Sequence, residues 1–250
     1  MATIRLVPST YYLSNSSYLS VSNASNMYTN TDSTTYSQVY NSRTSTTSYY
    51  IYLRGFNFDD VPSNAIINSF SVKLKAYESG VNTSTSYCPY LCNNTTTLSG
   101  CTSSVITTST QTLTFNCNLD FDTISGYGDN FGIRINCRRA SKNTAGYMYI
   151  YGAEIEIDYT IPVYHNITVS GTNVSPSGAQ SVLEGTSLTV YAYHDAKPTI
   201  MDNGVDVSSQ IVQSSSDTVT AIPISYTGNS NFTVSGADNA YTDADDGSYA

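Results

Sequence analysis

Residues 147–161, YMYIYGAEIEIDYTI, constrain this chain more than any other stretch. From Ala153 the pattern is strict: Ala153, Ile155, Ile157 and Tyr159 point one way, Glu154, Glu156 and Asp158 the other. Apolar side chains at every second position specify a β-strand with one buried and one solvated face. Upstream of Gly152 the aliphatic residues fall on even positions, Met148 and Ile150, so the phase inverts at the glycine. A β-bulge at Gly152 keeps both halves on the same core. Pro162 withdraws a backbone donor and ends the strand.

The same alternation recurs along the chain. In residues 47–56, Tyr49, Ile51 and Leu53 form one face and Tyr50, Tyr52 and Arg54 the other. In residues 66–78, Phe70, Val72, Leu74 and Ala76 face in, while Ser71, Lys73, Lys75 and Tyr77 face out. Residues 3–7 open the chain as a short strand, a further one lies near 87–92, and 111–121 and 131–138 alternate without a break. Residues 9–46 are polar and dotted with tyrosines, and too long for a bare loop in a compact domain. They are expected to form short irregular strands folded back on the sheets. Residues 125–130 read as a glycine-bearing loop, and no amphipathic helix stands out.

These patterns predict an all-β chain: a jelly-roll-like β-sandwich over residues 1–162, then a small immunoglobulin-like β-sandwich over 163–236. In the second block, residues 165–170, 187–194, 199–202, 205–207 and 217–222 read as short strands. Asn203-Gly204 marks a tight hairpin. The acidic stretch 237–250 reads as a linker or flexible tail.

A net charge of −9 argues against nucleic acid and anionic membranes as partners, because no basic patch exists to neutralise phosphates. No stretch approaches the roughly 20 apolar residues of a membrane span. The opening MATIRLVPSTYYL lacks a charged start followed by an apolar run, so synthesis in a cytoplasm without a signal peptide is expected. Five cysteines, at 88, 92, 101, 117 and 137, leave at least one unpaired or bonded to another chain. Cys117 and Cys137 continue inward-facing rows and are expected to be buried and reduced. Cys88, Cys92 and Cys101 have neither a nearby histidine nor a CxxC pair, which argues against zinc. A disulfide within that loop stays open.

Candidate chemistry is sparse. His165 and His194 are the two histidines, and neither accompanies a nucleophile motif. Glu154, Glu156 and Asp158 form a carboxylate row, and paired carboxylates can hydrolyse glycosides. The row is expected on an open sheet surface, where Lys73 and Lys75 offer cross-strand ion pairs. Asp243-Ala244-Asp245-Asp246-Gly247 lacks the closing glutamate of a calcium loop. The chain is therefore read as having no catalytic residue, metal or cofactor. Its unusual supply is 23 tyrosines, and Tyr50, Tyr52 and Tyr77 on outer faces are the candidate contact residues. The competing reading is that these tyrosines stiffen the sheets or are covered by residues 9–46.

The segments IRLVPSTYY, LRGFNFDDVPSNAIINSFSVKLKAY and YGAEIEIDYTI resemble the jelly-roll domains of tailed-phage and prophage virion proteins. The block HNITVSGTNVSPSGAQSVLEGTSLTVYAYHDAKPTIMDNGVDVSSQIV resembles the immunoglobulin-like modules appended to them. The resemblance implies a non-enzymatic virion structural protein, a tail-fibre, adhesion or capsid-decorating component. Such a protein would be a homo-oligomer, assemble with other virion proteins, and contact a glycan or protein of the host surface. The alternatives are a carbohydrate-binding or glycan-degrading appendage and a bacterial surface adhesin fragment. No functional residue carries over.

Overall fold

The structure is a computed structural model that describes residues 1–42, 49–79, 86–99, 101–102, 104–138, 147–193, 198–210, 213–216, 219–225 and 228–236. With 57% strand and 10% helix, the chain is all-β. It divides into two compact units, Met1–Ile161 and Pro162–Ala250.

Among the described residues the first unit holds, in chain order, β1 (Ala2–Leu6), β2 (Thr10–Leu13), β3 (Leu19–Ser22), β4 (Ser37–Asn41), β5 (Tyr50–Arg54), β6 (Ile66–Glu78), β7 (Ser86–Asn93), β8 (Thr96–Thr97), β9 (Cys101–Thr102), β10 (Gln111–Cys117), β11 (Phe131–Arg138) and β12 (Tyr147–Thr160). One sheet runs β3-β4-β12-β6-β10-β9 with β1 also on β12, and the other runs β2-β5-β11-β7-β8. From β4 to β7 the chain alternates between sheets, β8 stays beside β7, β9 and β10 share the other sheet, β11 crosses back, and the last strand returns to lie between β4 and β6. This is jelly-roll connectivity. One core fills the space between the sheets, with Val72, Leu74, Ile155 and Ile157 from one side and Ile51, Leu53, Ile133 and Ile135 from the other.

Strand β12 organises this unit. Its register against β6 shifts between Ile150 and Gly152, so Met148 and Ile150 are buried alongside Ala153, Ile155 and Ile157. The bulge inferred from the phase inversion is present. On its other edge β12 pairs with β4 over Tyr147–Ile150 and with β1 over Ile155–Tyr159. Residues 29–31 fill the gap: Ala153 N donates to Thr29 O at 3.0 Å, and Thr29 Oγ1 donates to Tyr151 O at 2.9 Å. A Cβ on Gly152 would lie 2.2 Å from Asn30 O and 2.5 Å from Thr29 O. Glycine is needed here for close backbone approach as well as for the bulge.

Two expectations change. The alternation over 111–121 ends at Cys117, and a short helix α1 (Phe121–Gly126) follows. Its start is local: the Asp120 carboxylate accepts from Thr123 N at 2.7 Å, and hydrogen bonding from the Thr123 side chain and then its backbone holds Asp120 below the usual carboxylate range. Residues 9–46 do return to the sheets, as β2, β3 and a 3₁₀ turn at Ala24–Met27. They also supply β4, a full member of the jelly roll.

The second unit is a two-sheet sandwich of β13 (Tyr164–Ser170), β14 (Val174–Ser175), β15 (Gly178–Leu183), β16 (Ser187–Tyr193), β17 (Thr199–Asp202), β18 (Val205–Asp206), β19 (Gln213–Ser216), β20 (Val219–Ser225) and β21 (Ser230–Ser235). The sheets run β15-β13-β21-β17-β18 and β14-β16-β20-β19. Strand β13 lies parallel to β21. Ile167, Val169, Val190, Ile200, Phe232 and Val234 form its core. Asn203 and Gly204 take φ of 50° and 82°, as a two-residue hairpin between β17 and β18 requires. The sequence missed β14, β15, β19 and β21. His194 and residues 237–250, with the Asp243–Gly247 motif, lie outside the described residues.

Candidate recognition surface

The carboxylate row corrects the expectation of an open surface. Glu154 is 1% exposed. Residues 29–31, lodged against β12, cover it: Thr31 Oγ1 donates to its Oε1 at 2.8 Å and Thr31 N to its Oε2 at 3.3 Å. Arg5 Nε lies 3.9 Å from Glu154 Oε2 and 3.2 Å from Glu156 Oε2, and Arg5 also pairs with Asp32. Lys73 reaches Glu156 Oε1 at 2.5 Å, so one of the two expected cross-strand pairs forms. Lys75 instead donates to Ser33 O at 2.9 Å and lies over the Tyr151 ring. Asp158 accepts from Thr3 Oγ1 at 2.7 Å and Ser69 Oγ at 3.0 Å, and these bonds hold it below the usual carboxylate range. The three carboxylates are structural ties that fasten β1, β6 and residues 29–32 to β12.

Of the three candidate tyrosines, Tyr50 and Tyr52 meet, with ring centres 6.2 Å apart, and Tyr77 does not join them. Tyr77 is on the outer face of the β12 sheet, directly across from Tyr149. Their rings stack 4.5 Å apart with planes 7° from parallel. Tyr36, from residues 9–46, stands edge-on to Tyr149 and Tyr151, and Tyr40 stacks on Tyr147 at 4.7 Å. This ladder is occupied by its own members, and burial raises the Tyr77 phenol above its ordinary pKa. Tyr77 reads as sheet packing.

Tyr50 and Tyr52 lie on the outer face of the other sheet. Strand register places Tyr12, Tyr52, Arg134 and Tyr90 opposite one another across β2, β5, β11 and β7. Tyr52 is 4% exposed, which corrects its assignment as an open contact residue. The Tyr12 ring flanks it at 5.7 Å and the Arg54 guanidinium lies over it at 4.7 Å. Arg134 lies over Tyr50 at 3.8 Å. The exposed rings are Tyr12, at 54%, and Tyr90, at 36%. The sequence reading overlooked both. Tyr90 alternates with Pro89 and Leu91, a signal that was available; Tyr12 sits where strand boundaries could not be read.

The β7–β8 turn holds both arginines. Arg54 Nη1 donates to Asn94 Oδ1 at 3.0 Å and its Nη2 to Asn94 O. Arg134 Nη1 donates to Thr97 Oγ1 at 2.8 Å and Thr95 O at 3.1 Å. Among the described residues neither forms an ion pair.

Other candidates supply less. Cys137 is fully buried and Cys92 is buried beside Gly132, whose carbonyl accepts from its thiol. Burial pushes these thiols up to about 12 and about 11, so both are unreactive. The Cys117 side chain lies outside the described residues. Among the described residues no cluster of histidine, cysteine and carboxylate could hold a metal. His165 Nε2 lies 3.8 Å from Glu184 Oε2. A groove of about 620 Å³ between residues 58–67 and α1 is lined by Phe58, Val61, Phe121 and the carboxylates of Asp59 and Asp122. Comparison with family profiles, curated proteins and solved structures gives no match.

Proposed function

We propose that this chain is a non-enzymatic structural protein exposed on a tailed-phage-type particle, as a tail-fibre, adhesion or head-decorating component. In this reading the jelly roll presents the β11-sheet face to a host-surface glycan or protein. One observation carries the recognition role: the cross-strand row Tyr12–Tyr52–Arg134–Tyr90, with solvent-exposed rings at its two ends. Rigid amphipathic rings around a planar cation suit recognition of polar surfaces at low entropic cost. The carboxylate row supports a non-catalytic reading, because Glu154 is sealed and Glu156 and Asp158 are engaged by neighbours. Homo-oligomerisation and contacts with other virion proteins belong to the same proposal.

Gradient-purified particles, probed with gold-labelled antibody against this chain, test it. Label on the particles is expected. Label confined to the bacterial envelope in cells that make no particles would replace this reading with the adhesin alternative. A glycan-degrading appendage would instead reveal itself by polysaccharide cleavage that Glu156→Gln abolishes.

A further inference from the structure

The β11-sheet face carries unspent polar capacity. Among the described residues, six buried side-chain nitrogen and oxygen atoms find no hydrogen-bond partner. Three of them, Arg54 Nε, Arg134 Nε and Asn136 Oδ1, lie just beneath this face, where the Arg54 side chain also interacts with the buried Cys92 thiol. Buried polar groups are nearly always paired, so such a concentration calls for an explanation. Arg134 also has an Nη2 that makes no hydrogen bond among the described residues. The chain carries a net charge of −9, yet here two guanidinium groups are tied to the same β7–β8 turn and, among the described residues, pair with no carboxylate. Of the described cations on the other sheet, Arg5 and Lys73 are neutralised by Asp32, Glu154 and Glu156, whereas Lys75 bonds Ser33 O.

We infer that this face binds an acidic glycan, with the carboxylate of a uronic or sialic acid on the Arg134–Arg54 pair and the sugar rings on Tyr12 and Tyr90. The inference rests on reading this face as the recognition surface and names its ligand class. A guanidinium presents parallel N–H donors matched to a carboxylate. Its stacking on Tyr50 and its bonds to Thr95 and Thr97 fix that plane before the ligand arrives. Tyr12 and Tyr90 stand three inter-strand steps apart, roughly 14 Å, which accommodates a short oligosaccharide rather than a single ion. The overall negative charge repels polyanions at long range, so binding depends on these local contacts and weakens with salt only modestly.

The test is calorimetric titration of the full chain with polygalacturonate, with polysialic acid, and with fully methyl-esterified polygalacturonate, which removes the charge. At least one acidic polymer is expected to bind and the ester to fail. Arg134→Gln and Tyr90→Ala should each weaken binding by about tenfold or more. Arg134→Lys, which keeps the charge but not the fork, should fall between, and it provides a measurable variant if the glutamine form does not fold. Lys73→Gln removes a positive charge from the other sheet and should leave affinity unchanged. Failure of both acidic polymers, equal binding of the ester, or full affinity in folded Arg134→Gln would each overturn the inference. If both acidic polymers fail but Tyr90→Ala and Arg134→Gln still abolish adhesion to host cells, only the ligand class falls. If adhesion too is untouched, the recognition face falls with it.

Discussion

The two outer faces of the jelly roll are built from the same material and are covered to different degrees. Both carry tyrosines that alternate with core residues, and both place basic side chains over those rings, Lys75 on one sheet and Arg54 and Arg134 on the other. On the β12 sheet, residues 28–36 lie against the strand: Thr31 caps Glu154, Tyr36 abuts Tyr149 and Tyr151, and Ser33 takes Lys75. On the β11 sheet, among the described residues, β2 and the β7–β8 turn flank the rings, and Tyr12 and Tyr90 are exposed. Outward orientation in a strand is therefore a different property from exposure. The first follows from backbone geometry; the second depends on what the rest of the chain lays on top.

Gly152→Ala attacks this contrast most directly. A methyl group would meet the backbone oxygens of Asn30 and Thr29, which no rotamer change can relieve. We expect a loss of about 3 kcal/mol in denaturant unfolding, with residues 28–36 released from the sheet. A loss below about 0.5 kcal/mol would mean that the segment does not seat on β12.

Glu154→Gln comes next. A surface carboxylate would tolerate this change within about 0.5 kcal/mol. Buried and bonded to Thr31, Glu154 should instead cost roughly 1–3 kcal/mol, whereas the more exposed Glu156→Gln should cost less. Equal small effects would return both residues to an open surface.

Glu78 sharpens the comparison through a carboxylate that burial leaves unpaired. It lies in phase with Val72, Leu74 and Ala76 and is 8% exposed, and its Oε2 has no partner. Burial pushes its carboxyl up from an ordinary 4.5 to about 7. The folded state thus favours the protonated form. Its contribution is complete below about pH 4.5 and is lost as pH rises through about 7. Glu78→Gln should raise stability at pH 8 by roughly 1–2 kcal/mol and change little at pH 4. Parallel pH profiles for the variant and the parent would refute the burial.

The smallest effects separate the tyrosines. Tyr149→Ala removes the stack on Tyr77 and the bond from Gln38 Nε2 at 3.1 Å, and should cost roughly 1 kcal/mol. Tyr90→Ala should cost no more than about 0.5 kcal/mol, its effect appearing in binding. Reversed values would exchange the roles of the two faces.

Much of the architecture was legible in the sequence because strand periodicity is local. The phase inversion at Gly152, the inward rows of β6 and β11 and the Asn203-Gly204 hairpin each rest on a few neighbouring residues. Helix α1 was not legible, because its six residues are too few to establish a period and its start depends on a single Asp120 cap. The candidate surface was legible only in part. Tyr50 and Tyr52 were placed on an outer face correctly, but Tyr52 is buried and Tyr77 belongs to the opposite sheet.

By itself the sequence determined that the chain is all-β, which side chains turn inward, and where the longest strand must kink. Alternation at period two needs no knowledge of distant residues, because each peptide sets the direction of the next side chain. Only the tertiary structure decided which outer face is sealed and which rings and cations share a row. Those outcomes depend on residues 28–36 reaching β12, and on registers that join Tyr12 to Tyr90 across 78 positions of chain. Contacts over such separations leave no local periodicity to read.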